Sequence, residues 1–181
     1  EDMFDSHSYA KGGRVLHMLR KYLGDEAFFA GLKKYLEDNK FSSVEMHNLR
    51  LAFEAVTGED LNWFFNQWFF DNGHPDLSIY YDYNETDKST SVTIYQIQDT
   101  TIAPIYVLPM AVDIYANGKV ERKQIVMDKA IQIFTFPTET RPDLINVDAE
   151  KMLLCTKLDN KSLEEYLFQL QHAPLFLDRY E

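Results

Sequence analysis

The feature that most constrains this chain is a change of period. Up to residue 75, apolar residues recur every three or four positions. From residue 76 they recur every second position, and after about residue 159 the helical spacing returns. A 3.6-residue period buries one stripe of a helix, and a period of two buries one face of a strand. A chain carrying both in separate blocks is expected to be α+β. The expected order is an all-helical subdomain over residues 1–75, an antiparallel β-sandwich over 76–158, and a short helical tail over 159–181.

Within the helical block the punctuation is clear. Val15, Leu16, Leu19, Tyr22 and Leu23 predict a helix from about Gly13 to Leu23, with Gly24 as its stop. Asp25 is expected to cap the next helix, where Phe28, Phe29, Leu32, Tyr35 and Leu36 make a broad apolar stripe opposite Lys33, Lys34 and Glu37. Ser42-Ser43-Val44-Glu45 has the S-x-x-E form of a capping box. It precedes a helix expected to bury Leu49, Ala52, Phe53 and Val56 and to end at Gly58. Asp60 then caps "LNWFFNQWFF", whose Leu61, Trp63, Phe64, Phe65, Trp68, Phe69 and Phe70 are too apolar for a helix with one wet side, so it should be central. Asn72-Gly73 and Pro75 end it.

The alternating block reads as about seven short strands: "LSIYYDY", "SVTIYQIQ", "PIYVLPMAVDIY", "KVERKQIVM", "QIFTF", "DLINVD" and "KMLLC". Asn117-Gly118 predicts a hairpin between two of them. Before it, Met110, Val112 and Ile114 alternate onto one face, expected to be the inward one. Pro104 and Pro109 suit an edge or a bulge. Beyond residue 159, "SLEEYLFQLQ" is an amphipathic helix and "APLFLDRYE" the opening of another.

Composition narrows the function. The net charge of -11 argues against a nucleic-acid partner, which would need clustered Lys and Arg, and against an anionic membrane surface. No apolar run approaches the ~18 residues of a membrane span. Cys155 is the only cysteine, which excludes an intrachain disulfide and is compatible with a cytoplasmic, periplasmic or secreted protein alike. The sequence starts at Glu1-Asp2 and stops within a helix-like segment, so it is expected to be part of something longer.

Few constellations could carry chemistry. No two of His7, His17, His47, His74 and His172 are four apart, and there is no H-E-x-x-H, so surface or capping roles are expected for them. Cys155 is expected to be a small buried residue on a strand. Neither a G-x-S-x-G elbow nor a phosphate-binding glycine loop occurs. There remains "SYAKGGRVLHML". Tyr9 ahead of a helix is either a packing residue with a wet hydroxyl or a phenol held in a glycine-closed turn at a helix start. The latter can donate a hydrogen bond to an oxyanion.

Tyr9-Ala10-Lys11-Gly12, followed by "GRVLHMLRKYLGDEAFFAGLKKYLEDNKFSSV", resembles the Tyr-x-Lys-Gly helix of the aminopeptidase N-type zinc metallopeptidases, the gluzincin aminopeptidases. "LNWFFNQWFFDNGHPDLSI" resembles that family's Trp- and Phe-rich helix and its Gly-x-Pro passage into a β-sandwich. "HAPLFLDRYE" is similar to the start of its C-terminal helical domain. The resemblance implies that residues 1–75 are the helical C-terminal part of a thermolysin-like catalytic domain. It implies zinc in the parent protein, peptides as substrates, and removal of N-terminal amino acids. Tyr9 then matches the tyrosine that stabilises the tetrahedral intermediate when zinc-bound water attacks the peptide bond. Lys11 and Gly12 match structural positions of the motif, glycine for close backbone packing and lysine as an anchor or solvated charge.

The sequence departs from the family by containing no H-E-x-x-H and no G-x-M-E-N segment. The chain alone is therefore expected to bind no catalytic zinc and to be inactive. An exposed apolar face near Tyr9, Phe4 and the first helix, meant to pack on the catalytic half, is expected to drive self-association. Two other readings stand beside this one. One is a non-catalytic helical and β-sandwich scaffold that binds a partner. The other is a carbohydrate-binding sandwich using Tyr80, Tyr81 and Tyr83, which inward or inter-domain packing explains more simply.

Overall fold

A computed structural model describes residues 7–180. The chain divides into two compact units between Gly73 and His74.

The helical unit opens with a π-helical turn, His7–Lys11, that runs straight into α1, Gly12–Leu23. The glycine-closed turn expected ahead of the helix is absent. Lys11 is right-handed helical (φ -64°, ψ -50°), and neither Gly12 nor Gly13 has a positive φ. Each glycine costs about 1 kcal/mol relative to alanine in a helix. Burial of Val15, Met18 and Leu19 one turn further on outweighs that cost. The helix stops at Gly24, whose φ of 80° suits glycine and whose N–H donates to the Arg20 carbonyl at 2.9 Å.

Asp25 does not cap α2, Asp25–Asp38, but is its first residue. Its carboxylate instead takes a two-pronged bond from the Arg20 guanidinium, 2.8 Å on each side. Likewise α3, Met46–Thr57, is capped at Glu45 and not at Ser42: the Asn48 side chain accepts the Glu45 N–H at 2.8 Å. Ser42 is engaged earlier in the turn, donating to the Asn39 carbonyl at 2.7 Å. Helices α2 and α3 meet at Gly31, against which the ring of fully buried Phe53 lies, with Phe28 stacked on Phe53 at 5.4 Å between centroids. Phe29, Leu36 and Val56, expected inside, are exposed.

The aromatic segment forms α4, Asn62–Phe65, and a π-helical turn, Asn66–Phe70. Asp60, expected to cap this helix, lies one residue before the N-cap Leu61, and its side chain accepts the Asn62 N–H at 2.8 Å. Leu61, Phe64, Phe65 and Trp68 are buried, whereas Phe70 at the open end is exposed, so burial is not all-round.

In the second unit, β1 (Asp76–Asn84), β2 (Ser89–Gln96), β5 (Ile131–Pro137) and β7 (Thr156–Asp159) form a four-stranded sheet of order β5-β2-β1-β7. β3 (Leu108–Ala116), β4 (Lys119–Met127) and β6 (Leu144–Val147) form a second, of order β4-β3-β6. Asn117 (φ 54°) and Gly118 (φ 70°) both take the left-handed conformation that a tight hairpin demands. Met110, Val112 and Ile114 are buried as expected, but so are Ala111, Asp113 and Tyr115, because β3 is central and covered on both faces. Pro109 sits where β6 no longer runs alongside β3, so a strand lies on one side of it only. Pro104 precedes β3 in irregular chain.

"KMLLC" is not a strand. The Asp148 carboxylate accepts the N–H of Met152 at 3.0 Å and of Leu153 at 3.2 Å, holding this buried segment in a loop. The strand comes next, at β7, and pairs parallel to β1, Asp76 opposite Thr156 and Ile79 opposite Asp159. The sandwich is thus mixed and not wholly antiparallel. Cys155 is half-buried in the loop before β7 and is not on a strand.

α5, Leu163–His172, carries a capping box: Glu165 N–H donates to Ser162 Oγ at 3.2 Å and Ser162 N–H to Glu165 Oε2 at 2.7 Å. With α6, Phe176–Tyr180, it packs on the strands. Phe168 meets the Tyr115 ring edge-on at 5.8 Å. Asp178 is fully buried, accepts from Asn146 Nδ2 at 2.8 Å, and pairs with Lys151 Nζ at 3.2 Å.

Candidate functional site

Tyr9 lies in the π-helical turn and is 65% exposed. Its neighbours at i+3 and i+4 on the same helical face are Gly12 and Gly13. Among the described residues, a Cβ added at either glycine would meet nothing within 4 Å. The phenol is therefore flanked by bare helix backbone. This contrasts with Gly31, where a Cβ would lie 2.3 Å from Phe53 Cδ1. One glycine is required by a close contact within its own unit, and two are not. Lys11 is half-buried on the same turn. On the π-helical turn and α1, Tyr9 and Tyr22 are the exposed large apolar side chains among the described residues, and Phe4 lies outside them. Phe29, Leu36, Leu51 and Val56 are exposed on α2 and α3, and Phe41, Val44 and Phe70 elsewhere in this unit.

The described histidines do not converge. His47 pairs with Glu45 at 3.3 Å, His74 with Asp76 at 3.5 Å, and His172 lies 4.2 Å from the Phe168 ring. Among the described residues no three His, Cys, Asp or Glu side chains come together in a way that could hold a metal ion. Among the described residues no helix is long and apolar enough to cross a membrane.

Of the three sandwich tyrosines, Tyr80 lies apart from Tyr81 and Tyr83. Tyr80 packs edge-on against Tyr95 at 5.7 Å. Tyr81 donates to Asp159 Oδ1 at 2.6 Å, and Tyr83 donates to the Glu139 carbonyl at 3.2 Å. Sequence reading missed the cluster around Tyr81. There Lys161 Nζ donates to Asp159 Oδ2 at 2.6 Å, and Tyr166 donates to the Asp159 carbonyl at 2.8 Å. Burial, aided by the Asp159 charge, pushes the Tyr81 phenol well above its usual value. Burial also lowers the Lys161 ammonium, against the opposing pull of Asp159. The cluster is internally satisfied and lies beside a cleft of about 190 Å³ lined by Tyr81, Tyr83, Thr90, Arg141 and Asn160.

Residues 1–68 match the Peptidase family M1 domain. Aminopeptidase N of Lactococcus lactis is 42% identical over 77 residues, which is 42% of this chain and 9% of that protein. Probable aminopeptidase 1 of Sulfurisphaera tokodaii is 29% identical over 130 residues, 71% of this chain and 16% of that one. The crystal structure of Legionella pneumophila aminopeptidase A in complex with aspartic acid shares the fold. Its TM-score is 0.83 over 97% of this chain and 20% of that one, at 19% identity. The match to the M1 peptidase family thus covers the helical unit, and the relatives that align with the chain are aminopeptidases. The chain spans under a fifth of the length of either of these curated relatives, 9% of one and 16% of the other.

Proposed function

We propose that this chain is part of a zinc-dependent aminopeptidase that removes N-terminal amino acids from peptides, with Tyr9 stabilising the tetrahedral intermediate. In this reading residues 1–75 complete the catalytic domain, 76–158 are the sandwich domain, and 159–181 begin a C-terminal helical domain. The observation that carries it is the exposed Tyr9 phenol beside bare Gly12 and Gly13. An exposed aromatic on a rigid helix, next to glycines that no described contact requires, is what a site for an approaching substrate or segment needs.

The role of Tyr9 follows from its chemistry. A peptide carbonyl oxygen gains charge as the carbon becomes tetrahedral. A fixed phenol O–H bonds that oxyanion more strongly than the starting carbonyl, which lowers the barrier. Lys11 anchors the turn, and Gly12 admits close backbone approach by a segment outside the described residues. The zinc ligands lie outside this chain, so the chain alone is inactive. Its exposed helical-unit side chains make it prone to self-association.

The test uses the intact gene product and its Tyr9→Phe variant, with release of a chromophore from aminoacyl anilides and metal content measured on both. The expected result is unchanged metal and a kcat lower by ~10² or more, the usual loss of one oxyanion donor. An unchanged rate refutes the role of Tyr9. A parent with neither metal nor activity replaces the enzyme reading with a helical and β-sandwich scaffold.

A further inference from the structure

The two sheets differ in how their edges are finished. Edge strands expose unpaired backbone groups, and proteins blunt them with charge, shortness or bulges. β4 carries Lys119, Glu121, Arg122 and Lys123, while β6 and β7 are four residues each. β5, at the edge of the four-stranded sheet, is different: Ile131–Pro137 is seven residues long with no charged side chain. Ile131 is 56% exposed and Ile133 63%.

Its hydrogen-bond parity is fixed. The Ala130 carbonyl accepts from Gln96 N–H at 2.8 Å, and Thr138 N–H donates to the Lys88 carbonyl at 2.8 Å. Even-numbered residues therefore bond to β2, and the backbone groups of Ile131, Ile133, Thr135 and Pro137 face outward. Pro137 is tolerated because its missing N–H falls on that outer side.

We infer that β5 is an interaction edge that pairs, antiparallel about a two-fold axis, with β5 of a second copy of this chain. One register pairs the outward groups of Ile133 and Thr135, the Ile131 N–H and the flanking charges together. With Phe134 opposite its own copy, Ile133 and Thr135 exchange both backbone bonds, and Ile131 N–H donates to the Pro137 carbonyl. In that register exposed Lys129 of each copy stands opposite exposed Glu139 of the other. A shift by one pair puts Lys129 opposite Pro137 and loses the charge match. The pairing joins two four-stranded sheets into one, with the Phe134 rings as neighbours at the axis. It uses the sandwich unit alone, independently of the peptidase reading and of the helical-unit face.

The experiment is sedimentation velocity on the 181-residue chain from ~1 to ~200 μM at low salt, with Lys129→Glu, Glu139→Lys and the double swap, and circular dichroism to verify folding. Expected is a concentration-dependent dimer, weakened about tenfold or more by each single change because two matched pairs become two like-charge pairs. The double swap restores it to within about twofold. A chain monomeric throughout, single variants that associate like wild type, or a double swap that stays weak would each overturn the pairing. Association untouched by the charge changes belongs to the helical unit.

Discussion

Changing Gly31 to alanine and Gly13 to alanine should move stability in opposite directions. In an open helix the exchange gains about 1 kcal/mol from propensity. At Gly13 nothing among the described residues stands within 4 Å of the new methyl, so that gain is kept. At Gly31 the methyl would lie 2.3 Å from Phe53 Cδ1 and 2.6 Å from Cε1, more than an ångström inside the contact distance of about 3.5–4.0 Å. Phe53 cannot swing away cheaply, since it is fully buried and stacked on Phe28. Overpacking of about 3 kcal/mol less the propensity gain leaves about 2 kcal/mol of destabilisation. Both tryptophans, Trp63 and Trp68, are in the helical unit, so tryptophan fluorescence in urea reports its unfolding. With an m of about 2 kcal/mol/M, Gly31→Ala lowers the midpoint by about 1 M and Gly13→Ala raises it by about 0.5 M. A Gly31→Ala chain as stable as wild type would refute the close approach of α2 and α3.

Three further outcomes are expected. Asp178→Ala leaves Lys151 buried without its counter-charge and costs about 3–5 kcal/mol, detectable as a lower urea midpoint and faster proteolysis within α5 and α6. Asp148 has its pKa raised, chiefly by burial, so between its unfolded value near 3.8 and its higher folded value the folded chain holds more protons than the unfolded one. Stability relative to Asp148→Asn should therefore fall as pH rises through that window; a gap that widens instead would contradict the burial. In the intact protein, Gly13→Ala should keep metal content while Tyr9→Phe loses rate, separating the helix from the phenol on it.

How much was legible follows from which interactions are local. β4 was read residue for residue, because the Asn117-Gly118 turn fixes its start and alternation its length. "KMLLC" was misread because its apolar run answers to Asp148 and not to a neighbouring strand, while the true β7 takes its identity from β1, far away in sequence. Gly12-Gly13 read as a turn at the helix start because propensity is local; the buried Val15, Met18 and Leu19 that let helical backbone run through both are a tertiary matter. The family resemblance picked out Tyr9 by motif. The Tyr81–Asp159–Lys161 cluster carries no motif and emerges only when β1 and β7 lie side by side.

That parallel pairing has a mechanical consequence. The chain comes into the sandwich at the start of β1 and leaves it at the end of β7, and the two strands point the same way. Tension applied across these two ends drags the strands along each other in opposite senses. The ladder from Asp76–Thr156 to Ile79–Asp159 is then loaded in shear, its bonds sharing the force together, and does not unzip one bond at a time. The Thr156 hydroxyl bonded to the Asp76 carboxylate and the Asn160 amide bonded to the Ile79 carbonyl pin the two ends of that ladder. The sandwich is thus arranged to resist a pull between the start of β1 and the end of β7.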